Sequence, residues 1–364
     1  MSVPRWLYTI SGTIAAMVIV GGITRLTNSG LSIVEWQPIL GVVPPLHETA
    51  WREAFVQYQA YPQFQHGAGA TTLEAFKHLY FWEWLHRLLG RLIGVAFFLP
   101  WAYFEFRRQV SGRLRGHLAA IGSLGALQAV LGWLMVKSGL VHEPRVSHYR
   151  LAAHLLAALT IYAYLLTIAK QESRCRRNAR TSPVFDVALH RVGLILLGLY
   201  AVQAVYGAFM SGLHAGYVSA SWPTMNGEWF PTNFAALSPA WRNFVENPIG
   251  VHFIHRSLAY GFAAGVAGCV ALAIRRRASP QVIRATLLLA VAAFVQIALG
   301  IATVMRHVPL WLAALHQGSA CLLLASLVFY VSVNRTSAPG LAPLMQRKAG
   351  YDGDRQFFRK FARK

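Results

Sequence analysis

Eight stretches of about 20 mostly apolar residues limit what this chain can fold into, because that is the length a ~30 Å hydrocarbon layer requires. They run roughly over residues 7–26, 80–103, 118–137, 149–169, 189–211, 250–274, 283–304 and 311–333. The composition agrees: 55% of the 364 residues are hydrophobic and 13% are charged. Soluble domains carry about 25% charged residues, and the mean hydropathy here is +0.41. The expected fold class is an all-α polytopic membrane protein with eight transmembrane helices.

A net charge of +21 would suggest nucleic acid in a soluble protein. Here the basic residues belong to the connections, so membrane topology accounts for them and no nucleic-acid partner is expected. Arg107, Arg108, Arg113 and Arg115 follow the second span; Lys170, Arg174, Arg176, Arg177 and Arg180 follow the fourth. Arg275, Arg276, Arg277 and Arg284 follow the sixth, and a basic tail runs from Arg335 to Lys364. With eight crossings, all of them and Arg5 share one side. The positive-inside rule then puts both termini in the cytoplasm. Met1 to Arg5 pass straight into an apolar segment without a transit-peptide or cleavage pattern, so a bacterial inner-membrane protein with an uncleaved first helix is expected. Cys175, Cys269 and Cys321 form no CxxC pair and no disulfide frame, which argues against metal ligation through sulfur.

Against this apolar background, Glu83-Trp84-Leu85-His86-Arg87-Leu88-Leu89-Gly90-Arg91 stands out. Ionisable groups in hydrocarbon cost several kcal/mol each unless paired or ligating, so they mark function. Glu83, His86, Arg87 and Gly90 are spaced to share one helix face. His154, His255 and His316 sit in similar settings, each within about two turns of the start of a span that runs inward. All four histidines are therefore expected near the outer face. Zinc prefers three or four close ligands, whereas two histidines on facing helices of a bundle suit a planar haem. Small residues four positions on (Gly90, Ala158, Ala259 and Ala320) leave room for a macrocycle or simply allow close helix packing. His148 competes with His154, and His252 with His255. Arg87 and Arg256 suit haem propionates or a loop carboxylate such as Glu35 or Glu246. The remaining histidines fall in loops or at span edges and are expected to be solvated.

The two halves resemble each other. His86-Arg87 recurs as His255-Arg256, and Gln128-Ala129-Val130-Leu131-Gly132 recurs as Gln296-Ile297-Ala298-Leu299-Gly300. The expectation is two pseudo-symmetric four-helix bundles, residues 1–180 and 181–364, each with one site. The long outer loops, about 27–79 and 212–249, are placed to cap them. Glu83 precedes His86 by three residues, and His252 holds that place before His255. A carboxylate beside a metal centre can shuttle protons, so the asymmetry suggests a reactive N-terminal site and an electron-supplying C-terminal one.

The chain resembles the haem A synthases of the proteobacterial and mitochondrial type. The resemblance is carried by Gly21-Gly22-Ile23-Thr24-Arg25-Leu26-Thr27-Asn28-Ser29-Gly30-Leu31-Ser32, Glu35-Trp36-Gln37-Pro38, the stretch from Glu83 to Arg91, His154, Ile254-His255-Arg256 and Leu315-His316-Gln317-Gly318. It implies haem O as substrate and haem A as product, with the C8 methyl oxidised to a formyl group through hydroxylated intermediates. Haem b would be ligated by His255 and His316, and the substrate haem would lie between His86 and His154 with Glu83 beside it. The implied partners are an electron donor and the enzyme that makes haem O. Some relatives carry a cysteine pair in the first outer loop; residues 27–79 contain no Cys, so no thiol role carries over. The competing expectation is a two-haem cytochrome b that relays electrons from quinol and leaves haem unmodified.

Overall fold

The computed structural model describes residues 2–35, 40–140, 145–176 and 186–334. Arg177, Arg180, the basic tail, Trp36, Gln37 and Pro38 lie outside the described residues. Within them the chain is helical, with no strand. Where water is absent, backbone N–H and C=O groups must be satisfied inside the segment, and a helix does this.

Eight helices are long and apolar enough to cross a membrane: α1 (Val3–Leu26), α4 (Leu73–Phe106), α5 (Gly112–Gly139), α6 (His148–Arg176), α7 (Val187–Gly212), α9 (Pro248–Arg275), α10 (Pro280–Met305) and α11 (Leu310–Val333). Three short helices lie in the long loops: α2 (Glu48–Gln59), α3 (Pro62–Gln65) and α8 (Arg242–Val245). Side chains that accept the orphan amides of a first turn fix several starts. Thr72 caps α4, Ser111 α5, Asp186 α7, Asn247 α9 and Ser279 α10.

One expectation needs correcting. His154, His255 and His316 do lie within two turns of their helix starts, but His86 is the fourteenth residue of α4. The helix extends further at its start because its first turns have their own partners. Phe76 and Tyr80 pack on Trp51, Phe55 and Tyr58 of α2, with ring centroids 5.0 Å apart for Trp51 and Tyr80 and 5.1 Å for Tyr58 and Phe76. This cluster holds the first long loop against α4.

In the N-terminal half, α1 packs on α4 and α6, and α6 packs on α5, while α4 and α5 meet only sparsely. In the C-terminal half, α7 packs on α9, α9 on α10, α10 on α11, and α11 back on α7. The halves join where α1 packs on α11 and α6 on α7. Buried apolar side chains from all eight long helices form one continuous core toward the arginine-rich face. The long loops cover the opposite face, called the loop face below. Large apolar side chains such as Ile195, Phe294 and Leu322 point outward, as a surface solvated by lipid chains requires.

Candidate functional site

Each of the four histidines meets a glycine on a neighbouring antiparallel helix. A Cβ on Gly21 of α1 would lie 3.0 Å from His86 Nε2, and one on Gly132 of α5 would lie 3.0 Å from His154 Cε1. The same test gives 3.6 Å from Gly207 of α7 to His255 Cε1, and 2.9 Å from Gly300 of α10 to His316 Cε1. Real Cβ atoms essentially never approach closer than about 3.0 Å, so at three of the four positions the absence of a side chain admits the ring. The glycines lie five to seven residues from the loop-face ends of their helices. All four rings therefore lie at a similar depth among the helices.

Glutamines one turn before three of these glycines grip the facing helix. Gln128 Nε2 lies 3.3 Å from His154 Nε2 and donates to the His154 carbonyl at 3.0 Å. Gln203 Nε2 lies 3.3 Å from His255 Nδ1 and donates to the His255 carbonyl at 3.1 Å. Gln296 Nε2 lies 3.3 Å from His316 Nδ1, the Gln296 carbonyl lies 3.1 Å from that same nitrogen, and Ser319 Oγ donates to Gln296 Oε1. The corresponding residue before Gly21 is Met17. Sequence reasoning matched the Gln-x-x-x-Gly segments of α5 and α10 as a repeat but assigned them no contact with histidine. It missed the third copy, Gln203-Ala204-Val205-Tyr206-Gly207, and the glycine on α1.

His86 and His154 are close enough to interact electrostatically, and so are His255 and His316. All four imidazoles are half-buried. The rival histidines lie elsewhere. His148 packs tilted on Tyr149 and edge-on to Phe209 at centroid distances of 4.0 and 5.1 Å, and its Cβ and Cα block any side chain on Gly212. His252 accepts from Arg256 Nε at 2.9 Å. His117, expected to be solvated, instead bonds the Tyr164 hydroxyl at 2.8 Å, since it belongs to α5 and not to a loop. His142 lies outside the described residues.

Glu83 is buried, 2% exposed, and its carboxylate accepts four hydrogen bonds, three of them on one oxygen. Oε2 accepts from Ser32 N at 2.8 Å, Ser32 Oγ at 2.8 Å and Ile33 N at 2.9 Å, and Oε1 accepts from Arg87 Nη2 at 2.6 Å. Arg87 also donates to the carbonyls of Ile33 at 2.9 Å and Glu35 at 3.2 Å. Arg256 is used alike, donating to Ser221 O at 2.7 Å and Thr224 O at 3.2 Å. Both arginines thus tie their helix to a long loop and bond the residue four positions back. That residue is an acid in one half and an imidazole in the other. Above the junction of the halves, Arg25 Nη2 donates to Ser211 O and Gly212 O at the end of α7. Burial first, then the charges of Arg25 and Arg145, push the His214 imidazole below its ordinary pKa.

Among the described residues, no group of three or more His, Cys, Asp or Glu side chains could hold a metal ion. The imidazole pairs fit a ligated macrocycle. Of the four rings, His154 leaves its Nδ1 buried without a hydrogen-bond partner, as the rivals His148 and His252 leave Nε2 and Nδ1, and buried polar atoms are normally satisfied.

Residues 4–328 match the family of cytochrome oxidase assembly proteins, COX15-CtaA. The chain belongs to that family. Among similar members, a protein of Mesorhizobium japonicum (strain LMG 29417 / CECT 9101 / MAFF 303099) is 40% identical over 342 residues, covering 94% of this chain and 92% of its own. One from Bradyrhizobium sp. (strain ORS 278) is 43% identical over 321 residues, covering 88% and 87%. One from Azorhizobium caulinodans is 42% identical over 337 residues, covering 92% and 95%. All three are named Heme A synthase. This near full-length similarity favours the haem-modifying expectation over the electron-relaying cytochrome.

Proposed function

We propose that the protein is a haem A synthase that converts haem O to haem A by stepwise hydroxylation of the C8 methyl to a formyl group. The observation that carries the reading is the set of four imidazoles at a similar depth, in two interacting pairs, each seated against a neighbouring helix by a glycine. The similarity to relatives bearing that name supports it.

On this reading the N-terminal half (1–180) and C-terminal half (181–364) are two related bundles. His86 and His154 hold the substrate haem, and His255 and His316 hold a resident haem b. When bound, haem b supplies one-electron transfer to the N-terminal site. The protein's own groups supply position and charge. Glu83, Arg87 and the amides of Ser32 and Ile33 pin the first long loop over the N-terminal site and keep water from it. Glu83 Oε1, already sharing Arg87, is the group placed to take up a proton as the methyl carbon is oxidised. The C-terminal half has His252 at the equivalent place, its Nε2 accepting from Arg256, and so lacks a carboxylate there. Arg87 and Arg256 present any remaining donors to the propionates.

The concentration of arginine at one face supports a bacterial inner-membrane topology with both termini cytoplasmic and both sites toward the periplasm. An electron donor and the enzyme that supplies haem O are the proposed partners. Chromatography of pigments extracted from cells with and without the chain tests the activity. Haem A is expected only in its presence, and haem O that persists unchanged when the chain is present would overturn it.

A further inference from the structure

The two halves differ in a way the repeat does not lead one to expect. α9 and α10 pack together and close the C-terminal ring, whereas the corresponding α4 and α5 scarcely touch. What contact they have lies at the arginine-rich end. Arg115 pairs with Glu105, and Phe98 and Trp101 cover Gly122, 3.4 and 3.7 Å from where its Cβ would stand. Gly94, Phe98, Trp101 and Glu105 form one stripe of α4 at i, i+4, i+7 and i+11. One turn beyond Phe98 toward the loop face that stripe reaches Gly94, and a Cβ there would meet nothing within 4 Å. Gly125 of α5 is equally open. The helices are therefore splayed toward the loop face; two turns on, the stripe reaches Arg87, and His86 stands next to it in the chain, a rise of about 12 Å from Gly94.

His86 is also the unusual ligand. His154, His255 and His316 are each gripped by a glutamine from the facing helix, but no hydrogen bond to the His86 ring is found among the described residues. Met17 takes the glutamine position, its Cε 3.4 Å from where a Cβ of Gly90 would lie, and a thioether donates nothing. Groups that orient a ligating imidazole raise metal affinity and fix the ring.

We infer that the substrate macrocycle enters and leaves the N-terminal site sideways from the bilayer, through the gap between α4 and α5, and that His86 is the ligand that lets go. Both the unsealed wall and the ungripped imidazole belong to α4. The C-terminal site, with a closed ring and two glutamine-held histidines, retains its haem. The inference rests on the reading of the four histidines as two haem ligand pairs.

The test is haem transfer from the purified full-length protein, in phosphatidylcholine nanodiscs, to apomyoglobin. Two phases are expected, a fast one from the N-terminal site and a slow one from the C-terminal site. Met17→Gln is expected to slow the fast phase about fivefold, the worth of one hydrogen bond, and Met17→Leu to leave it unchanged. Gly94→Trp, placed in open space, should slow the fast phase and spare the slow one; Gly94→Leu serves if the tryptophan variant does not fold. Gln296→Met should speed the slow phase. A fast phase indifferent to Met17→Gln and to either Gly94 variant overturns the inference, as does equal loss of the two haems from the wild type. Purified protein without any bis-imidazole haem spectrum would instead bring down the ligand-pair reading itself.

Discussion

An imidazole that carries a metal needs a fixed ring plane, and for the histidines proposed as ligands the fixing comes from across the helix pair. Gly300 shows the tolerance, since a Cβ there would stand 2.9 Å from His316 Cε1 and 3.4 Å from Nδ1. Both atoms belong to a stiff ring held at the Gln296 carbonyl, so the ring or the helix must move. Gly300→Val is therefore expected to cost about 1–3 kcal/mol of overpacking and to abolish the low-spin spectrum of the C-terminal haem while leaving the N-terminal one. Optical and paramagnetic resonance spectra of the purified variant check this. Gly198→Ala, at a position with nothing within 4 Å, is the matched control and should change neither. The histidines were legible in the sequence because an ionisable group in an apolar run is expensive and rare. Their glycine and glutamine partners were not, because small and amide residues serve ordinary helix packing in membranes. Only the facing of α5 on α6, α7 on α9 and α10 on α11 tells a ligand seat from a packing contact.

At the scale of the helix, residues 83–87 of α4 and 252–256 of α9 are the same device in two chemistries. In each, an arginine bonds the side chain four residues earlier and reaches the carbonyls of a long loop. The i, i+4 spacing was visible in the sequence; Ser32 and Ile33, some fifty residues away, were not, since nothing local points to them. The device predicts what Glu83→Gln will do. An amide can accept with one atom only, so some of the four donors now held by the carboxylate, Arg87 among them, are left unsatisfied in a buried place. Hydrogen bonds to charged groups are worth about 1.5–3 kcal/mol each. The amides around 29–33 are then expected to exchange with solvent faster in hydrogen-exchange mass spectrometry. Haem should be retained at both sites, because neither proposed ligand pair is touched, and haem A output should fall by at least about tenfold, a rise of about 1.4 kcal/mol in the barrier. Unchanged exchange with lost activity would leave Glu83 its chemical role alone, and unchanged haem A would remove both roles.

Across the whole molecule, α1 ties the halves together. It seats His86 through Gly21, and its next residue, Gly22, lies against α11 so closely that a Cβ would stand 1.8 Å from Gln317 Oε1. Gln317 follows His316 directly and donates to the Val18 carbonyl at 2.8 Å, while Gly318 of α11 meets Ile19. The eight spans were legible from hydropathy alone. This seam and the unsealed side between α4 and α5 were not, because lipid-facing and helix-facing apolar residues read alike in a sequence. The seam lies one residue from His316 and one residue from the glycine that seats His86, so a substitution there should reach both proposed sites. Gly22→Val must expel the Gln317 amide, losing a hydrogen bond worth about 1 kcal/mol, and must part α1 from α11. Redox titration of the purified variant is expected to show both haem potentials displaced together, in contrast to Gly300→Val, which should disturb one. If only the C-terminal haem moves, α1 transmits nothing between the halves and the seam is a packing contact alone.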